Sequence, residues 1–356
     1  MNRPSRILIL GASYGSLLGI KLVMAGHRVT LVCLPQEVEL INREGIHVRL
    51  PLKGREGLVE LRSQDASGQL RAAGPAEVIP ADYELVALAM QEPQYRSPGV
   101  RDLLQAVAKS RVPCMSIMNM PPLPYLARLP GVDATACRGA YTDPTVWDGF
   151  DPACMTLCSP DPQAFRPPEE ALNVLQVRLP TNFKVAGFPS ETHTGLLRRL
   201  QADIEAIRHT VDGEAVELPV KLKVHDSVFV PLAKWAMLLA GNYRCVTAQG
   251  VRSIREAVHT DLQAAREVYD WVCALCKSLG AAEADLVPFE KYAAAAQGLA
   301  SPSSAARALY AGAPHIERVD RLVQAIAAQR GLRHPAVDEV VALVDAQLER
   351  NRAAQK

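Results

Sequence analysis

The sequence predicts an α/β domain with a parallel sheet, followed by an all-helical domain. Three observations carry this. The first 34 residues read strand, glycine turn, helix, strand, a βαβ opening that implies parallel pairing and a right-handed crossover. Further short apolar runs alternate with helical patterns over the next stretch of chain. From about residue 225 the texture is helical, with little strand between the helices. A boundary near residue 224 gives two domains, 1–224 and 225–356.

Each element follows from its pattern. Residues 6–10, RILIL, form an apolar run of strand length. Residues 15–25, GSLLGIKLVMA, read as a helix that Gly26-His27 ends, and residues 28–34, RVTLVCL, as a second strand. Short polar segments follow. Tyr83–Met90 (YELVALAM) is the next buried strand, Val100–Lys109 a helix and Val112–Met118 (VPCMSIM) a further strand. Residues 135–190 mix short strand-like pieces with many prolines, which suits a sheet edge and loops. Leu196–Ile207 is an amphipathic helix. Beyond the boundary, Ser227–Cys245, Asp261–Leu279, Ser303–Ala311, Ile316–Arg330 and Ala336–Gln355 are helical patterns.

Composition narrows the function classes. Hydrophobic residues are 49% and charged residues 22% of 356, a globular balance. The net charge of +1 gives no basic field for nucleic acid or an anionic membrane. Aromatic residues, at 5%, are too few for a base-stacking platform. The apolar start is interrupted by Gly11, Ser13, Gly15, Ser16, Gly19 and Lys21, so it reads as neither signal peptide nor membrane span. A cytoplasmic protein is expected. The eight cysteines are scattered and read as reduced thiols. Cys273 and Cys276 have metal or redox spacing but lie in a helical run without a second pair, so core packing is the better reading, and no metal site is expected.

The glycine turn, Gly11-Ala12-Ser13-Tyr14-Gly15-Ser16, stands where a strand feeds a helix. Small residues there let backbone N–H groups approach a pyrophosphate at the helix N-terminus. Ser13 and Ser16 add hydroxyls, but Ser13 stands where a close-approach glycine is usual, and the turn is about one residue short. The second strand ends in Cys33-Leu34-Pro35-Gln36, with neither acid nor base before Glu37. A dinucleotide site and a tight turn that binds no cofactor both remain open. The same residues formally fit a G-x-S-x-G nucleophile elbow at Ser13, but that elbow normally follows several strands.

The stretch VFVPLAKWAMLLAGN, Val228–Asn242, holds one ionisable residue, Lys234. A lysine among Leu232, Trp235 and Leu238 would be partly desolvated and suited to proton transfer. Asn242, eight positions on, falls on nearly the same face of a regular helix. The alternative is a lysine that snorkels to solvent beside an asparagine near a helix end.

Taken together, these segments resemble the ketopantoate reductases (2-dehydropantoate 2-reductases). The resemblance rests on ILILGASYGSLLGIKLVMAGHRVTLV, on Met118-Asn119-Met120 after the strand at 112–118, on Lys234 and Asn242, on Ser301-Pro-Ser303-Ser304, and on the Asp320, Gly331, Pro335 spacing. It implies a Rossmann-like dinucleotide-binding domain and a helical substrate and dimerisation domain. It implies NADPH- or NADH-dependent reduction of a 2-keto acid, a small-molecule substrate and a homodimer. By the same resemblance Lys234 is the general acid, Asn242 and Asn119 complete the catalytic set, and Asn119 also lies near the nicotinamide. Residues 11–16, Met90 and Asn119 would hold the cofactor. Asn242, Ser303, Ser304 and either His315 or Glu317 would hold the substrate. The departures are also specific. Met90 or Gln91 stands where the family has a lysine, Leu238 where it has an asparagine, and His315 where it has an acid, with Glu317 two residues away. These departures keep a non-redox binding or regulatory protein in view. An opine-dehydrogenase-like enzyme using His225 or His315 is a further alternative.

Overall fold

The computed structural model describes residues 3–355. Contacts divide the chain into two units. One holds residues up to Met90, Gln94–Met118 and Val146–Asp226; the other holds Gln91–Pro93, Asn119–Thr145 and the chain from Ser227.

The first unit is built on an eight-stranded sheet. Its strands are β1 (Arg6–Leu10), β2 (Arg28–Val32), β3 (Gln69–Ala73), β4 (Leu85–Leu88), β5 (Cys114–Ile117), β6 (Met155–Ser159), β7 (Phe183–Ala186) and β8 (Leu222–His225). They lie in the order β3-β2-β1-β4-β5-β6-β7-β8. The first six are all parallel, and only β6 and β7 pair antiparallel. The order 3-2-1-4-5-6 reverses direction between β1 and β4, the switch point outside which such sheets bind ligands.

The first helix, α1 (Ala12–Met24), starts at residue 12 rather than at 15, so the glycine turn is a single residue, Gly11. It is apolar nearly all round, and such a helix must be covered on every side. A second sheet supplies the cover. Its strands run in the order Leu58–Arg62, His47–Pro51, Val174–Leu179, Gln163–Phe165. Leu17, Leu18 and Leu22 of α1 join Ile7, Ile9 and Leu31 of the large sheet and Val48, Leu50 and Val177 of the small one in one core. The one charge on α1, Lys21, is 1% exposed and donates to the Pro219 carbonyl at 2.9 Å.

Several elements differ from the sequence expectation. Residues 35–73 hold α2 (Pro35–Glu44) and three strands where only short polar segments were read. Strand β6 lies inside the sheet between β5 and β7, fully buried, instead of at an edge. Pairing on both sides, not local pattern, sets its place. The remaining helices of the first unit are α3 (Pro98–Ser110) and α4 (Glu191–Glu205).

The second unit is mainly helical: α5 (Leu262–Leu279), α6 (Phe289–Ala296), α7 (Ser304–Tyr310), α8 (Val319–Gln329) and α9 (Pro335–Ala354), with shorter turns between. The helical expectation over Ser227–Cys245 is met from Val230 onward, but not as one regular α-helix. It is built of a 3₁₀ turn at Val230–Ala233, an α turn at Lys234–Met237, a π turn at Leu238–Asn242 and a 3₁₀ turn at Tyr243–Cys245, in unbroken succession. Tyr292 of α6 packs against Gly241, where a Cβ would stand 1.9 Å from its hydroxyl oxygen. That hydroxyl donates to the Met237 carbonyl at 3.1 Å, the group a regular α turn would give to the Gly241 N–H. Among the described residues no helix is long and apolar enough to cross a membrane.

Candidate active site

The residues singled out in the sequence fall into two groups, one in each unit. In the first unit, Gly11 links β1 to α1 with φ +104°. A Cβ there would lie 2.8 Å from the Ala89 carbonyl oxygen and 2.6 Å from Met90 Cγ, so only glycine fits. Gly15 meets Ile9 in the same way, at 2.7 Å, which lets α1 sit close on β1. The helix has no side-chain cap and no acid in its first turn. Its leading N–H groups therefore carry partial positive charge with no anionic partner from its own first turn. These features fit a phosphate group at the turn.

The side chains around the turn have settled partners. Tyr14 turns inward: its hydroxyl donates to the Pro162 carbonyl at 2.6 Å, its ring meets Phe183 edge-on, and burial pushes its pKa well above the usual value. The Ser16 hydroxyl donates back to the Ala12 carbonyl within the helix. Ser13 is exposed on the first turn and Ala12 is buried. Met90, just past β4, covers the glycine, and its N–H donates to the buried Tyr95 hydroxyl at 3.1 Å. Of this set only Ser13 is exposed, and the Gly11 N–H is taken up by the Val32 carbonyl at 2.8 Å.

At the end of β2, Glu37 is 6% exposed. Its Oε2 accepts from the Leu34 N–H at 3.0 Å, capping α2, and its Oε1 pairs with Arg166 Nη1 at 2.5 Å. Arg166 follows the small-sheet strand Gln163–Phe165, far away in sequence. Burial raises the pKa of the nearby Cys33 thiol to about 12, so it is not a thiolate at neutral pH.

The second unit gathers Asn119, Lys234 and Glu317 around a residue not anticipated from sequence, Glu92. Glu317 stands just before α8. Its Oε1 accepts from the Glu92 N–H and its Oε2 from Asn119 Nδ2, each at 3.4 Å. Burial raises the Glu317 pKa to about 7; the Glu92 and Asn119 hydrogen bonds and the Lys234 charge pull it down, and the Glu92 charge adds to the rise. Glu92 is itself buried and accepts from the Thr142 N–H at 2.9 Å and the Thr142 hydroxyl at 2.8 Å. Asn119 Oδ1 is buried without a hydrogen-bond partner. Lys234 and Asn242 are half-buried. His315 is half-buried two residues before Glu317.

Ser303 is 2% exposed and caps α7, accepting from the Ala306 N–H at 3.1 Å. Its hydroxyl donates to the Asn242 carbonyl at 2.8 Å, at the end of the π turn. It holds the backbone that carries Asn242, while Ser304 is exposed. The π turn also changes the relation of Asn242 to Lys234, because eight residues here are not two α turns. Glu92 carried one faint sequence signal: it is a charge four residues beyond a fully buried strand. All eight cysteines are free thiols, and no group of three His, Cys, Asp or Glu is placed to hold a metal among the described residues.

Comparison of the sequence with protein-family models finds no match, and comparison with curated proteins finds none either. Solved structures do share the fold. The 2-dehydropantoate 2-reductase of Methylococcus capsulatus superposes with a TM-score of 0.62 at 16% identity, over 97% of this chain and 98% of that one. D-mandelate dehydrogenase, solved with NADH and anilino(oxo)acetate, gives 0.62 at 14% identity over 98% and 99%. A dimeric ketopantoate reductase from Staphylococcus aureus gives 0.58 at 10% identity over 97% and 99%. The chain thus has the fold seen in these proteins: a parallel-dominated sheet domain followed by a helical region.

Proposed function

We propose that this protein is a nicotinamide-dependent reductase of a 2-keto acid. One observation carries the reading: Glu317, with a pKa near 7, lies against Asn119 and within the field of Lys234, on a fold shared with keto-acid reductases. Glu317, rather than His315, then fills the acid's place.

The cofactor, when bound, supplies a hydride to the carbonyl carbon and is oxidised. The carbonyl oxygen takes a proton and becomes a hydroxyl. The chain's own residues manage that oxygen. Lys234 places a cation beside the developing alkoxide and donates the proton. Glu317 and Asn119 orient the forming hydroxyl, and the unpartnered Asn119 Oδ1 accepts from a donor on the ligand. Asn242 holds the substrate, its backbone steadied by Ser303. Gly11 and the α1 N-terminus receive the cofactor phosphates. A homodimer is proposed by analogy with the dimeric Staphylococcus aureus protein.

The test is turnover of NADPH and NADH with aliphatic, branched and aryl 2-keto acids. The reading expects one class to be reduced and Lys234→Ala to lose the rate while cofactor affinity is kept. Met90 packed on Gly11 favours a second reading, a non-redox binding protein on the same scaffold. Calorimetric absence of binding by either cofactor to the folded protein would overturn the reductase reading and leave the second one standing.

A further inference from the structure

We infer that Arg166 is a specificity-determining residue that selects a 2′-phosphorylated dinucleotide over its unphosphorylated form. This rests on the reductase reading and adds to it the identity of the cofactor and of the residue that chooses it. In a parallel sheet of this order the adenosine ribose falls at the end of β2. There an acid binds the free 2′-hydroxyl, or an arginine the 2′-phosphate.

The chain between Val32 and Glu37 contains no basic residue. The fold supplies one from elsewhere. The Tyr14 hydroxyl ties the start of α1 to Pro162, and the chain then forms Gln163–Phe165 and presents Arg166 at the end of β2. The Gly11 N–H donates to the Val32 carbonyl at 2.8 Å, so the phosphate turn and the end of β2 are adjoining backbone.

Glu37, the one acid at this position, is not available as a ribose acceptor. One of its oxygens caps α2 and the other holds Arg166 Nη1. The guanidinium is a planar fork, and its second arm has no partner within the protein. Arg166 Nη2 is buried with no hydrogen-bond partner, while the side chain as a whole is 23% exposed. A buried cationic N–H without an acceptor is costly, and a phosphate oxygen is the acceptor that matches its charge. Leu34, whose N–H bonds the same Glu37, is 61% exposed and offers an apolar surface to an adenine ring. Glu37 thus orients the arginine, and Arg166 reads the phosphate.

The experiment is calorimetric titration of the full chain with NADPH, NADH, 2′,5′-ADP and 5′-ADP. The wild type is expected to bind NADPH at least tenfold more tightly than NADH, and 2′,5′-ADP more tightly than 5′-ADP. Arg166→Ala should remove both preferences and leave NADH affinity within about twofold, which also shows the variant is folded. Should that variant fail to fold, Arg166→Lys retains a cation for Glu37 but not the second arm, and should lower the preference severalfold. Binding of both cofactors without preference, or a preference that survives in the arginine variants, overturns the inference and leaves the reductase reading standing. Failure of the folded wild type to bind either cofactor overturns both.

Discussion

Glu317 has a pKa of about 7 where a free glutamate has about 4.5, because burial disfavours its charge. Between these values the native state holds a proton that the unfolded chain has lost. Stability contributed by this group is therefore present at low pH and is lost as pH rises toward 7, at no more than about 1.4 kcal/mol per pH unit. Thermal unfolding from pH 4.5 to 7 should show this fall, and Glu317→Gln should flatten it. Equal slopes in the two proteins would remove the carboxyl from its buried place. Lys234 makes a kinetic prediction at the same scale. Its replacement by alanine should lower kcat by about 10²- to 10⁴-fold, the range of a lost general acid. Cofactor affinity, read by calorimetry, should change little.

At the level of elements, α1 carries the clearest prediction. Lys21 lies between two sheets, and burial, helped by Lys221, lowers its pKa to about 7. Here the unfolded chain binds the extra proton, so stability should rise from pH 7 toward 10.5. Lys21→Met should abolish that rise in a melting series. The π turn makes a structural prediction. Gly241→Ala should destabilise the fold by about 1–3 kcal/mol through overpacking against Tyr292. Adding Tyr292→Phe should restore part of the loss in denaturant unfolding; no restoration would place the cost elsewhere. The sequence made α1 legible because one face-free apolar stretch with one charge has few places to go. It did not make the π turn legible, since Val228–Asn242 has a smooth helical pattern and the distortion comes from a tyrosine some fifty residues on. Strand β6 was misplaced for a related reason: proline-rich flanks suggested an edge, and pairing partners decided otherwise.

For the whole molecule, the order of elements was readable and the assembly of side chains was only partly so. Lys234 and Asn119 stand out in the sequence as isolated polar residues in apolar or turn contexts. Glu92 and Arg166 were not, because each matters through a partner distant in sequence: Glu317 for one and Glu37 for the other. The Ser303 hydroxyl, expected at the substrate, donates to the Asn242 carbonyl, a link that sequence did not suggest. What the fold adds is a buried set of polar groups, Glu92, Asn119 and Glu317, to which the proposed reading gives the handling of a reduced carbonyl's oxygen. The most direct measurement uses reduced nicotinamide cofactor deuterated at the transferring C4 position, incubated with this protein and the 2-keto acids. The account predicts deuterium on C2 of the hydroxy acid product, appearing about 10²- to 10⁴-fold more slowly with Lys234→Ala. Cofactor binding without deuterium transfer to any 2-keto acid would contradict it.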